Sequence, residues 1–208
     1  MSEQGPAPGA VVGLLLAAGS GSRLGRPKAL VAGDDGMTWL ARSVRVLCDG
    51  GCQPVYVVVG AAADEVRRHA PPYARVVVAD EWAEGMGASL QAGLVAVTEH
   101  TSGADTVVVM LVDTPGVTSE VVCRLIAKGA GPQALGRATY HGSLSHPVLI
   151  GRDHWAGVIA MARGDRGARD YLRAHEVALI ECSDLGSGED IDTPAALDSW
   201  SSSNPAPR

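Results

Sequence analysis

The sequence predicts an α/β fold, a mostly parallel, Rossmann-like sheet with helices on both faces, and three observations lead there. Short apolar, β-branched runs recur along the chain without polar alternation, as in strands buried on both faces. Amphipathic segments of helical period separate them. Polar stretches at Gly19, Asp80 and Asp113 follow three of the runs, and in such a sheet they fall at the carboxyl ends of strands, where ligands bind.

The elements follow in order. AVVGLLLA, from Ala10, is the first strand. Met37 to Gly50 reads as a helix stopped by glycine. VYVVVG (Val55 to Gly60) is the second strand, AADEVRRHA before Pro71 a short helix, and ARVVVAD (Ala74 to Asp80) the third strand. Gly87 to His100 places Leu90, Leu94 and Val97 on one helical face. DTVVVMLVD (Asp105 to Asp113) is the fourth strand, and a helix follows from Thr118 to Gly129, with Thr118 as N-cap. The pattern then loosens. HPVLIG (His146 to Gly151) is a strand, GDRGARDYLRAHE a loop and helix, and VALIECS (Val177 to Ser183) a strand. Pro194 after Thr193 suits the first turn of a last helix. The expected organisation is a flexible N-terminus over 1–10, one domain over 11–200 and a disordered tail over 201–208, with no internal repeat.

Composition narrows the function. A chain of 208 residues can bury a substantial core. Its net charge of -6 disfavours a nucleic-acid protein that needs a broad basic face, yet leaves room for a small anion in a local pocket. No apolar run is long enough to span a membrane. The opening MSEQGPAPGA lacks a basic n-region, so a cytoplasmic location is expected. Cys48, Cys52, Cys123 and Cys182 form no CxxC pair and are expected to be buried free thiols.

The stretch LLLAAGSGSRLGRPKAL is built for phosphate, although neither familiar fingerprint fits it. Gly19, Gly21 and Gly25 are spaced GxGxxxG, one residue too long for a dinucleotide loop. Lys28 lies between Pro27 and Ala29, so no hydroxyl follows it as in a Walker A loop. The small residues from Ala17 to Ser22 let backbone N–H groups approach phosphate oxygens closely. Arg23 can fork onto phosphate, and Lys28 adds a point charge. The competing reading is a tight turn with two solvated cations.

These residues closely resemble the LAAGxSxRMGxxK signature of nucleotidyltransferases that use a nucleoside triphosphate, with Leu24 where methionine is usual. EWAEGMGASLQAGL, VDTPGV, SHPVLI, GDRGARDYL and EDIDTPAAL resemble, in the same order, segments of the molybdenum cofactor cytidylyltransferase group. The resemblance runs from Val11 to Leu197 and implies transfer of CMP from CTP to a molybdopterin-type acceptor, with release of pyrophosphate. It also implies a recipient molybdenum hydroxylase. Other phosphorylated acceptors, such as sugar or alditol phosphates, guanylyl transfer from GTP, and a non-catalytic nucleotide-binding protein stay open.

The resemblance implies a site. Leu16, Ala17, Ala18, Gly19, Ser20, Gly21, Ser22, Arg23 and Lys28 would hold the nucleotide together with Gly85, Gly87 and Ser89, though the last three also suit helix capping. Ala17 and Ala18 stand where guanylyltransferase relatives carry LAGG, which favours CTP, because a methyl can exclude a purine. Asp113 would bind Mg²⁺ or Mn²⁺, with Arg23 and Lys28 completing the catalytic set, although an Asx turn before Pro115 also explains Asp113. Val112 departs from the glycine common there. A second metal ligand comes from Asp190 or Asp192, and the register before Thr193-Pro194 selects Asp192, which a helix N-terminus would also favour. His146, Asp165 and Arg169, with Arg166 nearby, would face the acceptor, or else belong to an ordinary structural histidine and a solvated loop.

Overall fold

The computed structural model describes residues 9–22, 24–33 and 35–203. Seven strands form one sheet in the order β3-β2-β1-β4-β6-β5-β7. The apolar runs read above become β1 (Ala10–Leu16), β2 (Val55–Val59), β3 (Arg75–Val78) and β4 (Ala104–Leu111), all mutually parallel. Their carboxyl ends therefore share one edge of the sheet. β6 (Ser143–Gly151) runs antiparallel to β4 and to β5 (Leu135–Tyr140), and β7 (Ala178–Glu181) pairs parallel to β5.

Consecutive strand residues point to opposite faces, so each buried run feeds two cores. On one face Leu15, Val57 and Val108 pack with Trp39, Leu40, Val44 and Leu47 of α1 (Trp39–Asp49) and with Val121, Val122 and Leu125 of α4 (Ser119–Gly129). Val66 of α2 (Ala63–His69) joins them. On the other, Leu14, Val58 and Val109 meet Leu90, Leu94 and Val97 of α3 (Met86–His100). Trp155 and Val158 of α5 (Arg152–Met161) and Tyr171 and Leu172 of α6 (Arg169–Arg173) complete that core. Leu14, Leu15, Leu40 and Leu94 are each 0% exposed, and burial of each side chain stabilises the fold by roughly 1.5–3 kcal/mol. Thr38 caps α1 by accepting a hydrogen bond from the Ala41 N–H at 3.2 Å.

Several expectations need correction. β5 was not foreseen, because LGRATY interrupts its apolar pattern with glycine and arginine. α5 was also missed, since it leaves β6 directly at Gly151 with no turn residues to announce it. β6 begins at Ser143, not His146. β1 starts at Ala10 as read, which takes one residue from the stretch expected to be flexible, and the last helix, α7 (Pro194–Ser203), runs three residues into the stretch expected to be a disordered tail. The rest of that tail and residues 1–8 lie outside the described residues. The four cysteines are free, but only Cys52 and Cys182 are buried, Cys123 being exposed. No helix among the described residues is long and apolar enough to cross a membrane.

Candidate active site

β1 ends at Leu16 and the chain turns at once into the glycine loop. Ala17 N–H donates to the Val58 carbonyl at 2.8 Å and Leu24 N–H to the Gly21 carbonyl at 2.9 Å, which ties down both ends of the loop. Between them, among the described residues, the N–H groups of Ala18, Gly19, Ser20, Gly21 and Ser22 donate to no protein acceptor. A run of free backbone donors at a strand end forms an anion-binding concavity. Gly21 has φ +62°, and a Cβ there would stand 1.9 Å from the Arg26 carbonyl oxygen, so only glycine fits this turn. A Cβ on Gly19 would meet nothing within 4 Å, so this position faces open space. Arg23 lies outside the described residues.

Lys28 opens a 3-10 turn (Lys28–Leu30) after Pro27. Its Nζ donates to Asp113 Oδ2 at 2.6 Å and also to Asp192 Oδ1. Burial disfavours the ammonium, but the two carboxylates outweigh it and raise the Lys28 pKa above the ordinary lysine value. Asp113 follows β4. Asp192 is brought 79 positions back along the chain by backbone pairing: Ile191 N–H donates to the Asp113 carbonyl at 2.9 Å and Ser187 N–H to the Gly116 carbonyl at 3.0 Å. Thr118 Oγ1 donates to the Leu185 carbonyl at 3.1 Å and pins the same segment.

Asp113 Oδ1 is buried and has no hydrogen-bond partner. A buried carboxylate oxygen left unpaired is costly unless a cation or a donor completes it. Among the described residues no three His, Cys, Asp or Glu side chains cluster with metal-binding geometry. The donor set is thus two carboxylates, Asp113 and Asp192, which suits a hard divalent ion that completes its shell from water and substrate phosphate.

Loop, lysine and carboxylates share a cleft of about 410 Å³, lined also by Leu16, Trp82, Met86 and Ser89. The Ser89 hydroxyl, in the first turn of α3, has no partner among the described residues. Gly85 has φ +110°, and a Cβ on it would come within 2.7 Å of Asp165 Oδ1, so this glycine lets the 164–166 turn close against the cleft. Two expected residues do not line the cleft. A Cβ on Gly87 would collide with the Arg163 backbone at 2.7 Å, so Gly87 serves the packing of α3. The Ala17 side chain points into the core beside α1, which leaves Ala18 as the alanine that faces the cleft.

A second cavity, of about 160 Å³, adjoins the cleft and shares Met86, Leu111 and Asp165 with it. It gathers His146, Asp165, Arg166, Arg169 and Asp190. Asp190 therefore belongs to this cavity, whereas Asp192 belongs to the cleft. Burial and the charges of Asp113 and Asp192 raise the Asp190 carboxyl to about 6, with Lys28 acting the other way. Burial, with the charges of Arg137 and Arg169, pushes the His146 imidazole down to about 4 and keeps it neutral. Arg137 on β5 and Trp82 in the turn after β3 are among the lining residues that sequence reasoning missed. An aromatic in EWAEG just past a strand end was a usable signal for Trp82, whereas Arg137 offered none because β5 itself was unread.

Residues 13–179 match the family described as the MobA-like NTP transferase domain. The nicotine blue oxidoreductase of Paenarthrobacter nicotinovorans is 40% identical over 195 residues, spanning 88% of this chain and 92% of that protein. The purine catabolism protein PucB of Bacillus subtilis (strain 168) is 26% identical, over 90% of this chain and 94% of its own. The crystal structure of Rv0371C in complex with manganese, from Mycobacterium tuberculosis H37Rv, superposes with a TM-score of 0.76 at 26% identity, covering 94% of this chain and all of that one. The chain belongs to the MobA-like NTP transferase family and is an enzyme of the nucleotidyltransferase type.

Proposed function

We propose that this member of the family transfers CMP from CTP to a molybdopterin-type acceptor in the cytoplasm and releases pyrophosphate. The observation that carries the reading is the meeting, in one cleft, of a loop of free N–H groups, Lys28 and the Asp113–Asp192 pair. The loop holds the β- and γ-phosphates by its N–H groups. Lys28 places its fixed positive charge at the α-phosphorus, where negative charge accumulates in the transition state. An oxygen of the acceptor phosphate attacks that phosphorus as the bond to the bridging oxygen breaks, and the electron pair leaves with pyrophosphate. Positioning and charge suffice for this chemistry, and no side chain needs to form a covalent intermediate.

Asp113 and Asp192 fit Mg²⁺ or Mn²⁺, since Asp113 Oδ1 is buried and unpaired and both residues line the cleft with the glycine loop. When bound, the ion supplies further positive charge to the phosphates. Trp82 and Met86 offer apolar surface to the base, and the Ala18 methyl narrows the space available to a purine. Base discrimination of this kind is worth about 1–3 kcal/mol. The transferred product would pass to a molybdenum hydroxylase apo-enzyme.

The test is pyrophosphate release with Mg²⁺, using CTP, GTP, ATP and UTP, each with and without molybdopterin-type cofactor. Release with CTP and cofactor together is expected. Release only with GTP would overturn the base assignment, and release only with sugar or alditol phosphates would change the acceptor. The name of the 40% identical relative favours a second reading, an oxidoreductase. Oxidation of NADH or NADPH by the protein, with no pyrophosphate release in any mixture, would establish that reading instead.

A further inference from the structure

Two guanidiniums that line the second cavity, Arg137 and Arg169, form no ion pair among the described residues. Arg137 is half-buried on β5, and its Nε donates to the Ser145 carbonyl at 3.0 Å, which leaves the two Nη groups for another partner. Among the described residues no carboxylate lies within ion-pair distance of Arg137 or Arg169, and the His146 ring makes no hydrogen bond. The acidic residues that line the same cavity are Asp165 and Asp190. Both guanidiniums line this cavity, and burial and the charge of Arg169 lower the Arg137 pKa. Such an arrangement costs free energy until an anion joins it.

The location matters as much as the charge. The cavity shares Met86, Leu111 and Asp165 with the cleft that Lys28 and Asp113 line, so it adjoins the place where, on that reading, the α-phosphorus is held. Beyond it, Arg137 and Arg169 also border a larger cavity of about 450 Å³ with Arg173, His175, Leu144 and Leu179, and no acidic residue lines that one. An acceptor can thus enter over positive and apolar surface and present its phosphate between the two arginines.

Resting on the transferase reading above, we propose that Arg137, with Arg169 and His146, forms the subsite that binds the acceptor's attacking phosphate. Two guanidinium forks match phosphate oxygens, and a neutral imidazole adds one hydrogen bond. Arg137 is a substrate-binding residue here, not merely the clamp of Ser145.

The experiment titrates inorganic phosphate, by calorimetry, into protein saturated with Mg²⁺ and the non-hydrolysable α,β-methylene analogue of CTP. Phosphate binds the wild type. Arg137→Ala weakens it roughly 10- to 100-fold, Arg137→Lys restores part of the loss, and the affinity for the nucleotide analogue stays unchanged in both. Arg169→Ala, on a different element, shows the same loss and carries the test if Arg137→Ala does not fold. Unchanged phosphate binding in both alanine variants, or none in the wild type, overturns the subsite. A wild type that fails to bind any nucleotide overturns the transferase reading instead. The same titration without nucleotide then still reads the subsite, through a loss of phosphate binding in Arg137→Ala.

Discussion

In the half of the sheet formed by β1 to β4, four parallel strands end at one edge, and the groups presented there are backbone N–H donors, a lysine and a carboxylate. In the half formed by β5 to β7, one strand is reversed, a hairpin joins β5 to β6, and the cavity beside them is lined by guanidiniums and an imidazole. The first half offers fixed, short-range groups that suit a polyphosphate of constant shape. The second offers long, adaptable side chains on elements that need not align, which suits a partner whose shape differs from one relative to another.

Substitutions can break the comparison, and the largest effect belongs to the first half. Asp113→Asn removes the carboxylate that meets Lys28 and that the proposed mechanism gives to the cation, and turnover should fall at least ~10³-fold with the fold intact. Steady-state kinetics against Mg²⁺ or Mn²⁺ concentration checks it, and metal-dependent turnover near the wild-type level would move the metal to other residues.

Lys28→Ala should lower kcat by roughly 10²–10³-fold while nucleotide affinity changes much less, because its charge matters most once the α-phosphorus becomes crowded with negative oxygen. Equal losses in kcat and in binding, read from single-turnover rates and analogue titration, would reduce Lys28 to a ground-state anchor.

The smallest effect sharpens the other side of the comparison, because acid sensitivity is concentrated in the second half. Hydrogen bonds from Ser183 and Thr139 hold the Glu181 carboxyl at about 2, and the His141 and Gly142 N–H groups donate to it at the hairpin turn. Its folded pKa lies below the ordinary 4.5, so its contribution to stability is present above about 4.5 and is lost as the pH falls towards 2. The His146 pKa is likewise lowered, from 6.5 to about 4, so stability also drops as the pH falls through that window and the unfolded chain gains the proton first. Glu181→Gln should flatten the lower limb of a denaturation-versus-pH curve, and His146→Asn the upper one. Identical curves for wild type and both variants would place the acid-sensitive groups in the other half.

Sequence alone determined the parallel half almost completely. Runs such as VYVVV and TVVVML are buried on both faces, so local composition and burial agree, and the polar residues after each run had to gather at one edge. Asp113 was legible for that reason, lying just beyond β4, and Lys28 through the glycine loop that follows β1. Tertiary structure alone decided the rest. Register before Thr193-Pro194 had singled out Asp192, but it meets Lys28 beside Asp113 only because Ile191 and Ser187 pair with the 113–116 backbone, a contact no local pattern encodes. Gly87 and Ala17 looked like ligand contacts but are packing residues, because what a small side chain faces depends on the neighbouring element, here the Arg163 backbone and α1. Arg137 was hidden because β5 draws its stability from pairing with β6 and β7, and a strand held by long-range partners needs no apolar signature of its own.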